Sequence, residues 1–99
     1  MNSEKILSLL GFAAKAGKLS FGTHATTFAI EAKKAKLVIA AEDISEKSVK
    51  ELKFKAAKQN IEVLVLDGIS TAVLSKRVGK SCGIVAVTES GFADAIKKI

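Results

Sequence analysis

Ninety-nine residues with no proline and 48% hydrophobic side chains make one domain that buries roughly 60 to 70% of its unfolded surface, with no room for a second core. Sixteen basic against ten acidic residues give a net charge of +6, which favours polyanionic partners; because Arg77 is the only arginine, the charge suits phosphate contact better than bidentate reading of guanine. A lone cysteine, Cys82, and a lone histidine, His24, exclude an internal disulfide and a His/Cys zinc site, and no apolar run approaches the roughly 18 residues of a membrane span.

The first segment, "MNSEKILSLLGFAAKAGK", has a short apolar centre and ends like a signal peptide, but Glu4 and Lys5 precede a helix-periodic rather than uniform apolar run. It predicts a helix from about Ser3 to Ala16, stopped by Gly17. A short strand over Lys18 to Phe21 leads into a second helix from about Thr23 to Lys33. "KLVIAA" (Lys36 to Ala41), "IEVLVL" (Ile61 to Leu66) and "GIVAVT" (Gly83 to Thr88) are strand-length, β-branched and barely alternating, the pattern of strands covered on both faces. Ser45 opens a helix to about Gln59, Ser70 one to about Val78 that Gly79 closes, and Ser90 a last one to Lys98. This alternation predicts a single domain over residues 1–99: an α/β fold, a three-layer α/β/α sandwich around a small mixed sheet of about four strands. Ligand sites in such folds gather in loops at one end of the sheet, which singles out "GTHATT", "AED" and "GKSCG".

None of these carries catalysis. "GKS", Gly79 to Ser81, resembles the tail of a P-loop, yet Leu74 stands where the upstream glycine belongs and the segment runs from helix into strand, the reverse of that motif's setting. His24 with Asp43 lacks an evident nucleophile. Glu42 and Asp43 could bind metal or act as acid and base; their ordinary role is to start the turn and compensate the next helix's N-terminus. Cys82 reads as a small hydrophobe entering a strand. The third helix says more: at 100° per residue, Val49, Leu52 and Ala56 fall on the buried stripe, and Lys47, Lys50, Phe54 and Lys58 gather opposite. An aromatic among cations can stack on a base while lysines hold phosphates, or cover a neighbouring loop or a dimer contact.

The run Ala35 to Asp43 and the closing "AVTESGFA" (Ala86 to Ala93), with "LLGFAAKAGKLSFG" before the one and "VLSKRVGKSCG" before the other, are where the chain resembles the kink-turn-binding ribosomal-protein family, in particular its small bacterial YlxQ-like branch. The resemblance spans almost the whole chain. It implies an α/β/α sandwich, cytoplasmic residence, structured and in particular ribosomal RNA as partner, ribosomal or translation proteins as further partners, no cofactor and no enzymatic activity. In that family the second helix begins Gly, any residue, Asn, Glu, two more and Lys, and the polar side chains reach the sheared G·A pairs of a kink-turn. Here Gly22 is kept, His24 stands at the Asn position, Ala25 at the Glu position and Phe28 at the Lys position. The family's second RNA-facing element, the loop before the last strand, falls on Lys80, Ser81 and Cys82.

The resemblance places Thr26, Ala29 and Ile30 inward and turns His24, Ala25 and Phe28 outward. Helical spacing alone equally allows Ala25, Phe28, Ala29 and Ala32 to form a buried stripe, with His24 as a cap or in solvent. On the first reading the chain is a ribosome-associated RNA-binding protein, a monomer or weak dimer. Backbone N–H groups at Gly22 and Thr23, together with Lys36 and Lys80, would hold phosphates, His24 would contact a base edge or phosphate, and Phe28 would stack; Glu42, Ser81 and Cys82 would line the same end. The alternative keeps the scaffold as a protein-protein interaction module that uses Ala25 and Phe28 as an apolar contact. An enzyme at "AED" would need a further acid or cation converging on Glu42.

Overall fold

The computed structural model describes residues 2–99. Its elements follow in the order α1 (Ser3–Lys15), β1 (Leu19–Phe21), α2 (Gly22–Glu31), β2 (Leu37–Ala41), α3 (Glu46–Ala57), β3 (Val63–Leu66), α4 (Thr71–Val78), β4 (Ile84–Val87) and α5 (Ser90–Lys97). Local chemistry sets most boundaries. Asn2, Ser45 and Ser70 accept hydrogen bonds from the backbone N–H groups of Lys5, Ser48 and Val73 and so cap α1, α3 and α4. Gly79 ends α4 in the left-handed conformation at φ 80°. The last helix departs slightly from expectation: Glu89 is its N-cap and Ser90 its first residue.

The four strands form one mixed sheet in the order β1-β4-β2-β3, with β4 antiparallel to both its neighbours and β2 parallel to β3. Successive side chains of a strand point to opposite faces. Leu37, Ile39, Val85 and Val87 therefore pack in one apolar layer with Ile6, Leu10, Leu74 and Ile96 of α1, α4 and α5, while Val38, Ala40, Ile84 and Ala86 pack in the other with Ala29 and Ile30 of α2 and Leu52 of α3. This is the three-layer α/β/α sandwich. Both central strands are buried throughout, but β3 is an edge strand and its Val63, Leu64 and Val65 are only half-buried. Its unbroken apolar run does not by itself imply cover on both sides.

Strand directions decide what meets at each end of the sheet. Phe21 pairs with Val85 and Ala40 with Ile84, which brings the β1 to α2 junction, the loop before β4 and the segment after β2 to one end. Leu19 and Leu37 both pair with Val87, which sends Lys18 and Lys36 to the other. The three segments "GTHATT", "AED" and "GKSCG" thus share an end.

Candidate nucleic-acid interface

The start of α2 is built differently from that of its neighbour α3. Phe21, extended at φ −106° and ψ 130°, is its N-cap and offers no side-chain acceptor, and the first turn holds no acidic residue. The N–H groups of that turn have no partner further back in the helix, and with the helix dipole they present positive potential to whatever lies beyond. Gly22 turns the chain from strand into helix at φ 90°, a conformation that L side chains adopt only at a cost.

Beside this turn stands the loop before β4, and its position is fixed from α4. The Ser75 hydroxyl donates to the Cys82 carbonyl and accepts from the Cys82 N–H, both at 2.9 Å. Gly79 and Lys80 N–H groups bond the Ser75 carbonyl at 2.9 and 3.2 Å. The loop so held presents the Lys80 ammonium 5.1 Å above the Phe21 ring, within cation–π range. One cation is therefore stationed next to the first turn of α2. Lys80 and Ser81 are exposed, whereas the Cys82 side chain is buried in the core, its thiol directed at the Lys80 carbonyl at 3.3 Å. Burial pushes that thiol above its ordinary pKa, partly offset by the Lys80 charge. The buried Cys82 side chain anchors the loop, its sulfur turned to the Lys80 carbonyl.

The acidic pair at the end of β2 is already occupied. Glu42 accepts from the Gly68 N–H at 2.8 Å, and Asp43 accepts from both the N–H and the hydroxyl of Thr71 at 2.9 and 2.7 Å. The Thr71 hydroxyl, then its N–H, hold the Asp43 carboxyl below its ordinary pKa. Asp43 therefore compensates the start of α4, not that of α3, which follows it in sequence, and Glu42 holds the β3 to α4 loop. Gly83 completes the junction: a Cβ there would lie 2.6 Å from both the Ile44 side chain and the Thr71 hydroxyl. Glu42 lies at the same end of the sheet as Gly22 but is tied to the β3 to α4 loop, and β3 is three strands from β1. Among the described residues no group of three or more His, Cys, Asp or Glu side chains converges as a metal site.

Along α2, Thr26, Ala29 and Ile30 are buried, His24 is exposed, Ala25 is half-buried and Phe28 is 64% exposed. Ala32 is exposed as well, so the buried-stripe alternative does not hold. The Lys34 ammonium lies 5.9 Å from the Phe28 ring. His24 and Phe28 line a groove of about 340 Å³ that runs between α2 and α3 and is closed on the far side by Ser48, Glu51 and Lys55. Lys36 is absent from this neighbourhood. Its N–H bonds the Val87 carbonyl at the opposite end, about 20 Å away at roughly 3.3 Å per strand residue. The sequence reading grouped Lys36 with Lys80 by charge, and the antiparallel β4 separates them.

On α3, Leu52 and Ala56 are buried and Val49 only half so, while Lys47, Lys50, Phe54 and Lys58 are all exposed. Phe54 is 66% exposed, and the Lys58 ammonium lies 4.5 Å from its ring. Among the described residues neither a loop nor a neighbouring helix covers it. The residues that sequence reasoning missed are Ser75, Thr71 and Phe21. A serine three residues before a helix end and a threonine at a helix start carry no local sign of a partner 7 or 28 positions away.

The chain is similar to several known proteins. The chain is 33% identical to the RNA-binding protein YlxQ of Enterococcus faecium over 98 residues, covering 99% of this chain and 93% of that protein. It is 32% identical to the Bacillus subtilis (strain 168) RNA-binding protein YlxQ, covering 97% of this chain and 95% of that one. A solved protein of unknown function from Bacillus halodurans superposes with a TM-score of 0.88 at 29% identity, over 95% of this chain and 94% of that chain. A Giardia lamblia 15.5kD RNA binding protein shares the fold at 17% identity, with a TM-score of 0.81 over 97% of this chain and 82% of that one. With the family model matching residues 4–97, from α1 to the end of α5, the chain belongs to the ribosomal protein L7Ae/L30e/S12e/Gadd45 family.

Proposed function

We propose that the protein binds structured RNA, ribosomal in kind and bent like a kink-turn, by docking the first turn of α2 and the Lys80 loop against the RNA backbone in the cytoplasm. The observation that carries this reading is the pairing of an uncapped, acid-free helix start with a lysine fixed 5.1 Å over Phe21. Phosphate oxygens accept from free N–H groups at a helix N-terminus and are neutralised by a nearby ammonium. His24 reaches a base edge or phosphate, and Phe28 stacks on an unpaired base. The names of the YlxQ relatives support the same reading.

Base reading is sparse on this surface. Arg77 bonds Glu4 at 2.9 Å and Ser8 at 3.2 Å, between α4 and α1, and is committed to the fold. Ala25 can accept no hydrogen bond from guanine, and Phe28 can neutralise no phosphate. Recognition is then by shape and charge, with little sequence discrimination.

The test compares Lys80→Ala with Lys36→Ala, which remove equal charge at opposite ends of the sheet. Affinity for a kink-turn RNA is measured by fluorescence titration across a range of salt. Wild type should lose affinity with a slope of roughly 0.7 to 0.9 log units per log unit of salt for each phosphate contacted. Lys80→Ala should weaken binding and flatten that slope by about one contact, and Lys36→Ala should change little. Equal losses in both variants would reduce the interaction to net charge. A salt-insensitive self-association without RNA binding would instead favour a protein contact through Ala25 and Phe28.

A further inference from the structure

Three of the five phenylalanines are largely exposed, and two of them, Phe28 and Phe54, lie on the same α2/α3 layer. Phe54 is exposed on α3, at i+4 from Lys50 and i−4 from Lys58. Residues at that spacing are neighbours on a helix surface. Residues 46–58 hold five lysines and two glutamates, a net +3 of the protein's +6. The exposed Phe54 ring has the Lys58 ammonium 4.5 Å away and otherwise faces water, from which it gains nothing, and the lysines around it repel one another. A ligand with flat apolar faces joined by regularly spaced negative charges relieves both, and a single nucleic-acid strand has that composition. An acidic protein segment would satisfy the lysines and leave the ring without a flat partner.

We infer that the outer face of α3, centred on Phe54 and flanked by Lys47, Lys50 and Lys58, is a second RNA contact that takes an unpaired strand leaving the element docked at the start of α2. This rests on the docking reading above for its orientation. The groove between α2 and α3, about 340 Å³, has Phe28 and Glu31 on one wall and Glu51 and Lys55 on the other, and its lining stops short of Phe54. A strand leaving the first turn of α2 would pass Phe28 at the groove's rim, away from Glu31 and Glu51, and round the groove-side wall of α3 to reach Phe54. Both helices start at the same end of the sheet and run the same way, so the start of α2 and the outer face of α3 lie on one side of the sheet.

The experiment measures binding of a blunt kink-turn RNA, of the same RNA with a short unpaired oligoadenylate tail, and of the free oligoadenylate. Wild type, Phe54→Ala and Lys80→Ala are each titrated, with folding checked by thermal melting. The tail should tighten wild-type binding by about tenfold, within the range of one stacked base. Phe54→Ala should abolish that gain and leave the blunt RNA unaffected, and Lys80→Ala should weaken both structured RNAs while keeping the gain. If no structured RNA binds wild type, the α2 reading falls, and Phe54-dependent binding of the free oligoadenylate still supports the α3 platform. A tail without effect, equal loss of blunt and tailed binding in Phe54→Ala, or equal displacement of the tail by polyglutamate would overturn it.

Discussion

Asp43 shows how a residue with catalytic potential is spent on structure. Its carboxylate is solvent-facing, yet it accepts two hydrogen bonds from Thr71 and so anchors the start of α4 across the end of the sheet. Since its folded-state pKa lies below the unfolded one, the stability it adds is complete above about pH 4 and is lost as pH falls through the lower folded value. Wild type should therefore melt at a higher temperature than Asp43→Asn at neutral pH, and the gap should close in acid. A gap that persists in acid would mean that the amide destabilises through packing and not through lost charge. Phe54 and Leu52, two positions apart on α3, make the opposite contrast. Phe54→Lys should change stability by no more than about 0.5 kcal/mol, whereas Leu52→Ala, which empties a fully packed position, should cost about 2 to 5 kcal/mol. Chemical denaturation of both variants measures the difference, and a loss of several kcal/mol in Phe54→Lys would place the ring in the core. Phe54 was legible because a helix's 100° period is a local property. The partners of Glu42 and Asp43 were not, since Gly68 and Thr71 lie 26 and 28 residues away.

Helix α2 carries the difference between this chain and the polar pattern it resembles. Its buried face, Thr26, Ala29 and Ile30, is separate from its outward face, His24, Ala25 and Phe28, so the outward face can change without disturbing the core. Replacing His24→Asn, Ala25→Glu and Phe28→Lys together should leave the melting temperature close to that of wild type. It should also create a preference for an intact kink-turn over a control with disrupted G·A pairs, each new base contact adding about 1 to 3 kcal/mol by analogy with duplex readout. Unfolding of the triple variant would assign Phe28 to the core; an existing strong preference in wild type would mean that backbone and loop contacts suffice. Periodicity could not decide Phe28, because Ala25, Ala29 and Ala32 stand at helical spacing around it and small side chains there are compatible with either stripe. Helix caps were easier: Ser45 and Ser70 bond an N–H three residues on, an arrangement written within a single turn.

At the scale of the molecule, strand order turns a list of charged and glycine-rich segments into one surface. The elements and their alternation follow from runs of apolar residues and cap signals, and these suffice for an α/β/α sandwich. They do not fix which strand lies between which. With β4 placed antiparallel between β1 and β2, Gly22, Lys80 and Glu42 come to one end and Lys36 goes to the other. No local pattern encodes that separation, since a lysine before a strand looks the same at either end. The central claim is therefore one of place: RNA meets the end of the sheet where α2 begins. The most direct measurement is a titration of isotope-labelled protein with a blunt kink-turn RNA, followed by backbone amide chemical shifts at moderate salt. The largest changes should fall on Gly22, Thr23, His24, Lys80 and Ser81, with Lys18, Lys36 and Thr88 at the far end unmoved. Changes centred on that far end or on the α1/α5 face, with the start of α2 silent, would contradict it.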